Sequence, residues 1–421
     1  MDRLSRVHRS PVLWWGLPIL ALALFYASDA DTYPVSEFGG DTYHFAQYAL
    51  LGASGPLGGL AAWQAGRLRL GGVWRSAPVR HRHRIAWAAL RPVLLLTAAI
   101  DLLVFAYTST HFGALPRLSD LGGVALMVTV QLAVLIVGFG LGCALPRAAA
   151  VPLAVVGLTL WLILPPSFDD PSYRYLTGLL SDRPTPLDDP APEVLLAPLL
   201  VALAAVGAVL LAARPGPQTL RTALAGCCAL AGILPAHSLV ADAGYDMPTV
   251  PRADSAQRCA GQAPRICVPV EFEDRLPQLR DSARTVLPRL AAAGLQRPDR
   301  LAFVSADVEL PASAWRLHLE SELSAQQLTD RVVTAAVPPY RECRNLPDDA
   351  GSPSAGPLTA WLRLTAGAEP KTVERRHSSR TVQRVEAVRK QSRRAQSAWV
   401  ETQRRGLGSC DPADRAEAMA R

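Results

Sequence analysis

The chain has 421 residues, half of them hydrophobic, with 43 Lys and Arg against 36 Asp and Glu. Its apolar residues form long blocks before residue 240 and are dispersed among charges after it. About 20 apolar residues cross the roughly 30 Å hydrocarbon core of a bilayer. This distribution therefore excludes a wholly soluble protein. The net charge of +7 is modest, and in a membrane protein it reports topology before it reports a partner.

Seven apolar blocks predict membrane-spanning helices, because backbone polar groups in lipid must be paired within their own segment. The first block follows Arg3, Arg6 and Arg9 and imitates a signal peptide, but no A-x-A-type site closes it. The fifth block is short and the seventh contains Pro235, so we expect an all-α bundle of six or seven spans. The predicted spans are 11–27, 43–64, 85–107, 121–145, 151–165, 194–213 and 222–240.

Arginine placement predicts the orientation of the bundle. With the N-terminus in the cytoplasm, the inner segments contain 12 arginines and the outer loops contain three. Short cytoplasmic loops are enriched in Lys and Arg. Seven spans then place the C-terminal half outside the cell, whereas six spans without the last block would leave it in the cytoplasm. The extracytoplasmic placement is the prediction that we carry forward.

Polar residues within the predicted spans are candidate functional groups. Asp101 is flanked by Ile100 and Leu102, where a carboxylate is costly unless it is protonated, paired or hydrated. Arg91 is ten residues earlier, about 15 Å away along a helix and too far to pair with it. Asp101 is either a conduit or coupling residue, or it reaches the outer interface or bonds to Gln131 on the next span.

Glycines cluster in the second and fourth predicted spans. Gly58 and Gly138 are examples, and small residues allow close approach of membrane helices. The alternative is that glycine is merely tolerated there.

The longest inner connection is basic. It has two interpretations: a docking surface for a cytoplasmic partner, or an orientation signal that also contacts anionic headgroups, worth about 1 kcal/mol per Arg. Its arginines are Arg67, Arg69, Arg75, Arg80, Arg82 and Arg84.

Residues 1–240 are thus predicted to form the bundle, 241–265 a Pro- and Asp-rich linker, and 266–421 a soluble domain. The spacing of apolar residues and the positions of helix-breaking Gly and Pro predict a mainly helical domain with one small sheet. The predicted helices are 271–294, 320–337, 358–366 and 371–407, and the predicted strand is 300–305.

The predicted last helix is strongly basic and carries Val382, Val385, Val388 and Trp399 at helical spacing. Nucleic-acid binding would require a cytoplasmic domain and has no motif to support it. Anionic lipid headgroups or wall polymers suit an external domain better, and a solvated helix face is the simplest interpretation.

Cysteine usage agrees with an external domain. Cys259, Cys267, Cys343 and Cys410 all follow the bundle, and an even set in an oxidising compartment predicts two disulfides. Four cysteines allow three connectivities. Cys259–Cys267 with Cys343–Cys410 is the pairing that we favour. Cys143, Cys227 and Cys228 lie in or beside spans, where they act as small apolar residues.

Motifs for catalysis and cofactor binding are missing from the sequence. There is no P-loop, H-E-x-x-H or G-x-S-x-G. His318 with Glu320 and Glu322 is the nearest approach to a metal site, but that spacing puts only His318 and Glu322 on one helix face. We therefore expect no enzyme activity, no cofactor and no metal.

Residues 10–240 resemble the membrane components of ABC-2-type export systems of actinobacteria. The resemblance rests on the number of spans, on the basic segment AAWQAGRLRLGGVWRSAPVRHRHR and on the glycine-rich GLGCALPRAAAVPLAV. The later residues resemble the extracytoplasmic C-terminal domain of other actinobacterial membrane proteins, through Cys259-x7-Cys267 and Trp399 followed by Cys410. An amphipathic N-terminal helix, frequent in such subunits, has little room here, and so large a C-terminal domain is unusual.

Two functions follow from these observations. The resemblance implies the membrane subunit of an export system that relies on a separate cytoplasmic ATPase docked on residues 67–84. The competing function is a membrane-anchored binding or sensor protein of the envelope, in which the bundle is an anchor.

Overall fold

The computed structural model describes residues 11–33, 35–73, 82–180, 182–183, 185–214, 216–252, 257–304, 310–311, 313–319, 323–338 and 353–420. The chain forms two compact units, Met1–Val250 and Pro251–Arg421. The boundary falls inside the segment predicted as a linker. Part of that segment is ordered, since Gln257–Ala260 forms a strand of the second unit.

Helices of the first unit overlap all seven predicted spans, but the second span is divided between two helices. The second predicted span begins within a separate helix, which ends at Gln47 before the next begins at Ala49. The helices are α1 Pro11–Ala27, α2 Gly39–Gln47, α3 Ala49–Leu70, α4 Arg82–Phe112, α5 Leu121–Ala144, α6 Arg147–Ile163, α7 Pro192–Ala212 and α8 Gln218–Val240. The short strands β1 Asp188–Pro190 and β2 Thr249–Pro251 form a two-stranded sheet.

Four stretches among the described residues are long and apolar enough to cross a membrane. They are His83–Phe112, Leu118–Ala144, Pro192–Ala212 and Gln218–Val240. The last contains the predicted span that Pro235 made doubtful. Helix α6 is apolar but shorter. The glycines and Gln64 of α3 lower the mean hydropathy of that helix. The four helices indicate membrane association, and the total of six or seven spans stays a prediction.

Helix α3 packs against α1, α5 and α6 through small residues. A Cβ atom added to Gly138 would lie 2.2 Å from the backbone oxygen of Gly58, and one added to Gly142 would lie 2.2 Å from that of Ala62. Helices that approach this closely leave no room for side chains between them. The glycines of α3 and α5 therefore have a packing role.

The second unit contains a four-stranded sheet in the order β3-β4-β5-β6. Its strands are β3 Gln257–Ala260, β4 Arg265–Pro269, β5 Arg300–Ala302 and β6 Ala314–Arg316. β3 is antiparallel to β4, and the other pairs are parallel. The predicted strand at 300–305 is present as β5. The other strands have only three to five residues, too short for periodicity to reveal them.

Helices follow and interleave with this sheet. They are α9 Leu276–Ala292, α10 Ala325–Thr334, α11 Gly356–Ala366, α12 Pro370–Glu374, α13 Ser379–Arg389, α14 Arg393–Gly408 and α15 Pro412–Ala420. α9 connects the parallel strands β4 and β5, and its predicted end at Gly294 agrees with the positive φ of that residue.

The prediction of one continuous helix over 371–407 was wrong. The hydroxyls of Ser378 and Ser392 accept hydrogen bonds from the backbone N–H groups of Thr381 and Ala395, so each serine begins a new helix. A straight helix over this range would be about 55 Å long and could not fold back on one domain. The two breaks let the apolar face of each segment reach the core around Trp361, which is fully buried.

The predicted disulfide Cys259–Cys267 is confirmed. The two residues are directly opposite in the β3–β4 ladder, with Cα atoms 4.1 Å apart. Such a bond indicates an oxidising compartment. Cys410 is also disulfide-bonded, but Cys343 lies outside the described residues, so that pairing stays a prediction. Cys143, Cys227 and Cys228 are free thiols on α5 and α8.

Candidate functional site

Asp101 of α4 and Gln131 of α5 are in direct contact. Gln131 Nε2 donates a hydrogen bond of 2.7 Å to Asp101 Oδ1, and Gln131 is buried. Gln131 Oε1 is buried too, and no donor for it exists among the described residues. Arg91 is exposed elsewhere on α4. The structure therefore brings together two of the three predicted intramembrane residues.

The basic inner connection is described in part. Arg75 and Arg80 lie outside the described residues, as does the side chain of Arg82, whereas Arg67 and Arg84 are exposed. Arg69 Nη1 donates to the backbone oxygen of Ala144, the last residue of α5, at 3.1 Å.

Arg69 is a cation at the carbonyl end of a helix, an arrangement that stabilises by about 0.3–1 kcal/mol. Arg221 makes the same contribution at the end of α7, where it donates to Ala212 and Arg214. Some inner arginines thus have a structural role.

Helix α2 is buried along its whole length although its sequence, GGDTYHFAQ, is largely polar. Asp41 is only 1% exposed and accepts two hydrogen bonds from Arg183, of 2.7 Å from Nε and 2.6 Å from Nη2. Bidentate pairs of this kind are the strongest ionic contacts in proteins. The hydrogen bond to Asp41 raises the pKa of Arg183. The pair fastens α2 to the segment that precedes α7.

Gln47 makes a second connection between α2 and that segment. Its Nε2 donates to the backbone oxygen of Leu180, and its Oε1 accepts from the Leu180 N–H, both at 3.0 Å. His44 lies between Gln47 and Tyr48, 3.3 Å and 3.2 Å from their polar atoms. The prediction that residues 43–47 begin a membrane span was wrong, because they belong to this separate polar helix. The polar run before an apolar run was the available signal.

All three arginines predicted in the outer loops lie beside aspartates. The pairs are Arg117–Asp120 at 2.8 Å, Arg174–Asp182 at 3.9 Å and Arg183–Asp41 at 2.6 Å. Positive charge at this end of the helices is therefore balanced locally, unlike that of the exposed Arg67 and Arg84.

Ser172, His237 and Asp170 have the composition of a hydrolase triad but not its geometry. Ser172 Oγ is 3.1 Å from His237 Nε2, and Asp170 Oδ2 is 3.8 Å from that same nitrogen. In a triad the carboxylate bonds to the other ring nitrogen. Hydrogen bonds from Ser172, together with His237, lower the pKa of Asp170, which caps the short helix Pro171–Leu176. The cluster is a helix cap.

An apolar groove of about 300 Å³ lies between α5, α6, α7 and α8. Among its lining residues, Thr177 has a polar side chain, and its hydroxyl already donates to the Arg174 backbone oxygen. An apolar cavity of about 150 Å³ is large enough to bind benzene. The groove thus offers space to a hydrocarbon group and none to a polar solute. Representative lining residues are Val134, Trp161, Val201, Ala205 and Ile233.

The basic segment of the second unit, which we define as residues 371–394, carries nine Lys and Arg against two Glu. This excess equals the net charge of the entire chain, so the charges of the remaining residues sum to zero. Arg380, Arg389, Lys390 and Arg394 are exposed, whereas Val373, Val382, Val385 and Val388 are buried. The segment therefore presents a cationic surface on an apolar support.

An ionic cluster holds the basic segment to the rest of the unit. Arg363 donates from Nε and Nη2 to the two carboxylate oxygens of Asp330, at 2.6 Å and 2.7 Å, and Arg376 lies 3.3 Å from the same carboxylate. Arg363 Nη1 is also 3.2 Å from His377 Nε2. Burial and then the charges of Arg363 and Arg376 lower the pKa of His377. His377 is thereby kept as the neutral acceptor.

The part of the chain that the structure describes contains no group of three or more His, Cys, Asp or Glu that could hold a metal ion. Glu320 and Glu322 lie outside the described residues. Burial, followed by the charges of Arg316 and Arg331, lowers the pKa of His318.

Residues 266–410 match a family described as a domain of unknown function, DUF7224. The match covers about a third of the chain, lies within the second unit and includes the whole basic segment. Comparisons with curated proteins and with solved structures give no match.

Proposed function

We propose that this is a membrane-anchored protein of the cell envelope whose second unit binds an anionic polymer, with the basic segment as the contact surface. The observation that carries this proposal is the concentration of the chain's entire net charge in residues 371–394. A field of one sign over a surface raises the local concentration of an oppositely charged ligand.

The positions of some cations favour a binding role over a stabilising one. Arg393 and Arg394 begin α14, Arg380 is in the first turn of α13, and neither first turn contains an acidic residue. Cations at a helix N-terminus oppose the helix dipole, at a cost of about 0.3–1 kcal/mol each. Arg393 Nη2 donates to the backbone oxygen of Ala291 in the last turn of α9 and so has a structural role. Local stability does not account for Arg380 and Arg394, whereas an anionic ligand does.

An anionic polymer fits this surface better than a bilayer does. Helices that lie on membranes present exposed Trp, Phe or Leu beside their basic face. In the basic segment the apolar faces of α12 and α13 are buried in the unit instead. The contact is therefore electrostatic, without apolar insertion. The disulfide Cys259–Cys267 supports an extracytoplasmic position, where anionic polymers of the envelope are available and nucleic acid is not.

Binding of linear inorganic polyphosphate to the full-length protein in a neutral detergent tests this proposal. Changing Arg380, Arg389, Lys390 and Arg394 together to Gln is expected to weaken binding by about a thousand-fold, since each charge removed from an anionic contact costs about 1 kcal/mol. Fluorescence anisotropy of labelled polyphosphate measures the affinity. Affinity should also fall steeply as the salt concentration rises.

The matched control removes four exposed arginines elsewhere in the same unit: Arg265, Arg280, Arg284 and Arg297 to Gln. Both variants lose the same net charge, but the control is expected to keep affinity within about three-fold, because screening confines the attraction to charges near the contact. Equal losses in the two variants would show non-specific attraction and would overturn the assignment of the surface.

A second candidate function is the membrane subunit of an ABC-2-like export system with a separate ATPase. Its specific support is that Arg67 and Arg84 are exposed at the ends of α3 and α4 that face the inner connection, while Arg69 is used to cap α5. Changing Arg67 and Arg84 to Gln should release a nucleotide-binding subunit that co-purifies from native membranes, whereas the Arg265 and Arg297 double variant should retain it. Purification of the wild-type protein without a stoichiometric nucleotide-binding partner would count against export.

A further inference from the structure

Asp101 lies on the longest helix of the described residues, α4, well inside the stretch that is apolar enough to cross a bilayer. Near the C-terminal end of this helix, the hydroxyl of Tyr107 donates to Asp31 at 2.7 Å, and His111 lies 3.5 Å from the same carboxylate. These polar contacts mark the edge of the apolar region. Asp101 is about 9 Å further in, at 1.5 Å per residue.

A carboxylate at this depth would require a cation, and the described elements around it do not supply one. Helices α1 and α5 contain no Lys, Arg, Asp or Glu, and the cations of α3 are Arg67 and Arg69 in its last turn. On α4 itself Arg91 is ten residues away. The other ionisable groups on the elements that pack against α4 are Tyr26 of α1, Asp29 and Asp31 before α2, Asp41, Tyr43 and His44 of α2, and Cys143 of α5.

The nearest acids and bases of α2 are already engaged. Asp41 is bonded to Arg183, and His44 to Gln47 and Tyr48. Ionised Asp101 would therefore be a half-buried charge within the apolar stretch, with the neutral Gln131 as its partner. Charges in such surroundings are removed by proton uptake when no counter-ion is present.

The amide of Gln131 supplies an independent indication. Its Nε2 donates to Asp101 Oδ1, but its Oε1 is buried without a donor among the described residues. A carboxylate has only acceptors to offer, whereas a carboxylic acid has one O–H donor. A proton on Asp101 supplies an O–H donor beside this amide, which ionised Asp101 does not.

We propose that Asp101 is a neutral carboxylic acid at physiological pH and that the Asp101–Gln131 pair is a proton-binding site between α4 and α5. The proton is the ligand of this site. Loss of the proton would leave a bare charge in the apolar region and the amide oxygen without a donor, so α4 and α5 would have to separate or admit water. The site thereby links proton release to the contact between these helices, whichever function the second unit performs.

Dicyclohexylcarbodiimide, an apolar reagent specific for protonated carboxyl groups, tests this proposal directly. The acid proton moves to one nitrogen of the reagent and the carboxyl oxygen bonds to its central carbon. The acyl group then migrates to nitrogen, and no atoms are lost. Full-length protein in detergent at neutral pH is expected to gain one reagent, located at Asp101 by peptide mass mapping.

Controls are available within the same molecule. Asp101→Asn should abolish the adduct. The buried Asp41 and Asp120 should remain unmodified, because they form ion pairs with Arg183 and Arg117. Modification of Asp41 and Asp120 to the same extent as Asp101, or an unmodified Asp101 at neutral pH, would overturn the proposal.

Infrared spectroscopy of the unreacted protein gives a second measurement that needs no reagent. The wild-type protein should show the carbonyl stretch of a protonated acid at neutral pH, and Asp101→Asn should lack it. Gln131→Met removes the amide while keeping the side chain's length and neutrality. It should shift this band to the frequency of a free acid. A wild-type spectrum with only carboxylate bands would contradict the assignment.

Discussion

Replacing Gly138 by alanine is expected to destabilise the bundle, although the same change in an exposed helix interior stabilises by about 1 kcal/mol. The added Cβ would lie 2.2 Å from the backbone oxygen of Gly58, so α3 and α5 would have to separate. Overpacking of this kind costs about 1–3 kcal/mol. Gly142→Ala should have a similar effect, since it meets the backbone of Ala62 at the same distance. Thermal unfolding in detergent measures the change.

Gly226→Ala is the matched control, because a Cβ on that residue of α8 would have nothing within 4 Å. It should leave the unfolding temperature unchanged or raise it slightly. Gly157→Ala on α6 offers a second open position. If Gly138→Ala unfolded at the same temperature as Gly226→Ala, the close contact between α3 and α5 would not exist in the protein.

Arg183→Ala is expected to cause a large loss of stability in the first unit, because it leaves Asp41 buried without its partner. Breaking a buried ion pair from one side costs about 3–5 kcal/mol. The Arg183 side chain is 36% exposed, so solvent screening should put the cost at the lower end of that range. Thermal unfolding measures the loss. Proteolysis within residues 170–190, the segment that this pair connects to α2, should also become faster.

Asp41→Asn combined with Arg183→Ala should recover part of this loss, since no unpaired charge then remains in the interior. The double-mutant cycle isolates the energy of the pair. Arg284→Ala is the control for an exposed pair, because Arg284 and Asp281 are 63% and 76% exposed, and its effect should stay near zero. Equal effects of Arg183→Ala and Arg284→Ala would mean that water reaches Asp41.

Several features of this protein could be predicted from residues near one another in sequence. The length of an apolar block decides whether it can cross a bilayer, and this property needs no knowledge of neighbours. The disulfide between Cys259 and Cys267 was also predicted from nearby residues, since a short loop brings the two cysteines together. The end of α9 just before Gly294 depends on the local preference of glycine for positive φ.

The candidate sites depended on partners distant in sequence. Gln131 was one of several contacts that Asp101 could have made, and only the packing of α4 on α5 selected it. The pairing of Asp41 with Arg183 joins residues 142 positions apart. No local pattern marks such a pair.

The break of the predicted 371–407 helix has a related cause. A 3.6-residue period describes the apolar face of each segment but does not say whether the segments are collinear. Ser378 and Ser392 are compatible with a helix interior as well as with a cap. The buried position of Trp361, which the surrounding helices must cover from several sides, decided between the two.

By itself, then, the sequence determined where hydrocarbon-length helices form and where the positive charge accumulates, because both follow from composition over a short window. The tertiary structure decided which polar groups are paired and which charged surfaces remain exposed. Burial and ion pairing are properties of residues brought together from distant parts of the chain, and a linear pattern does not contain them.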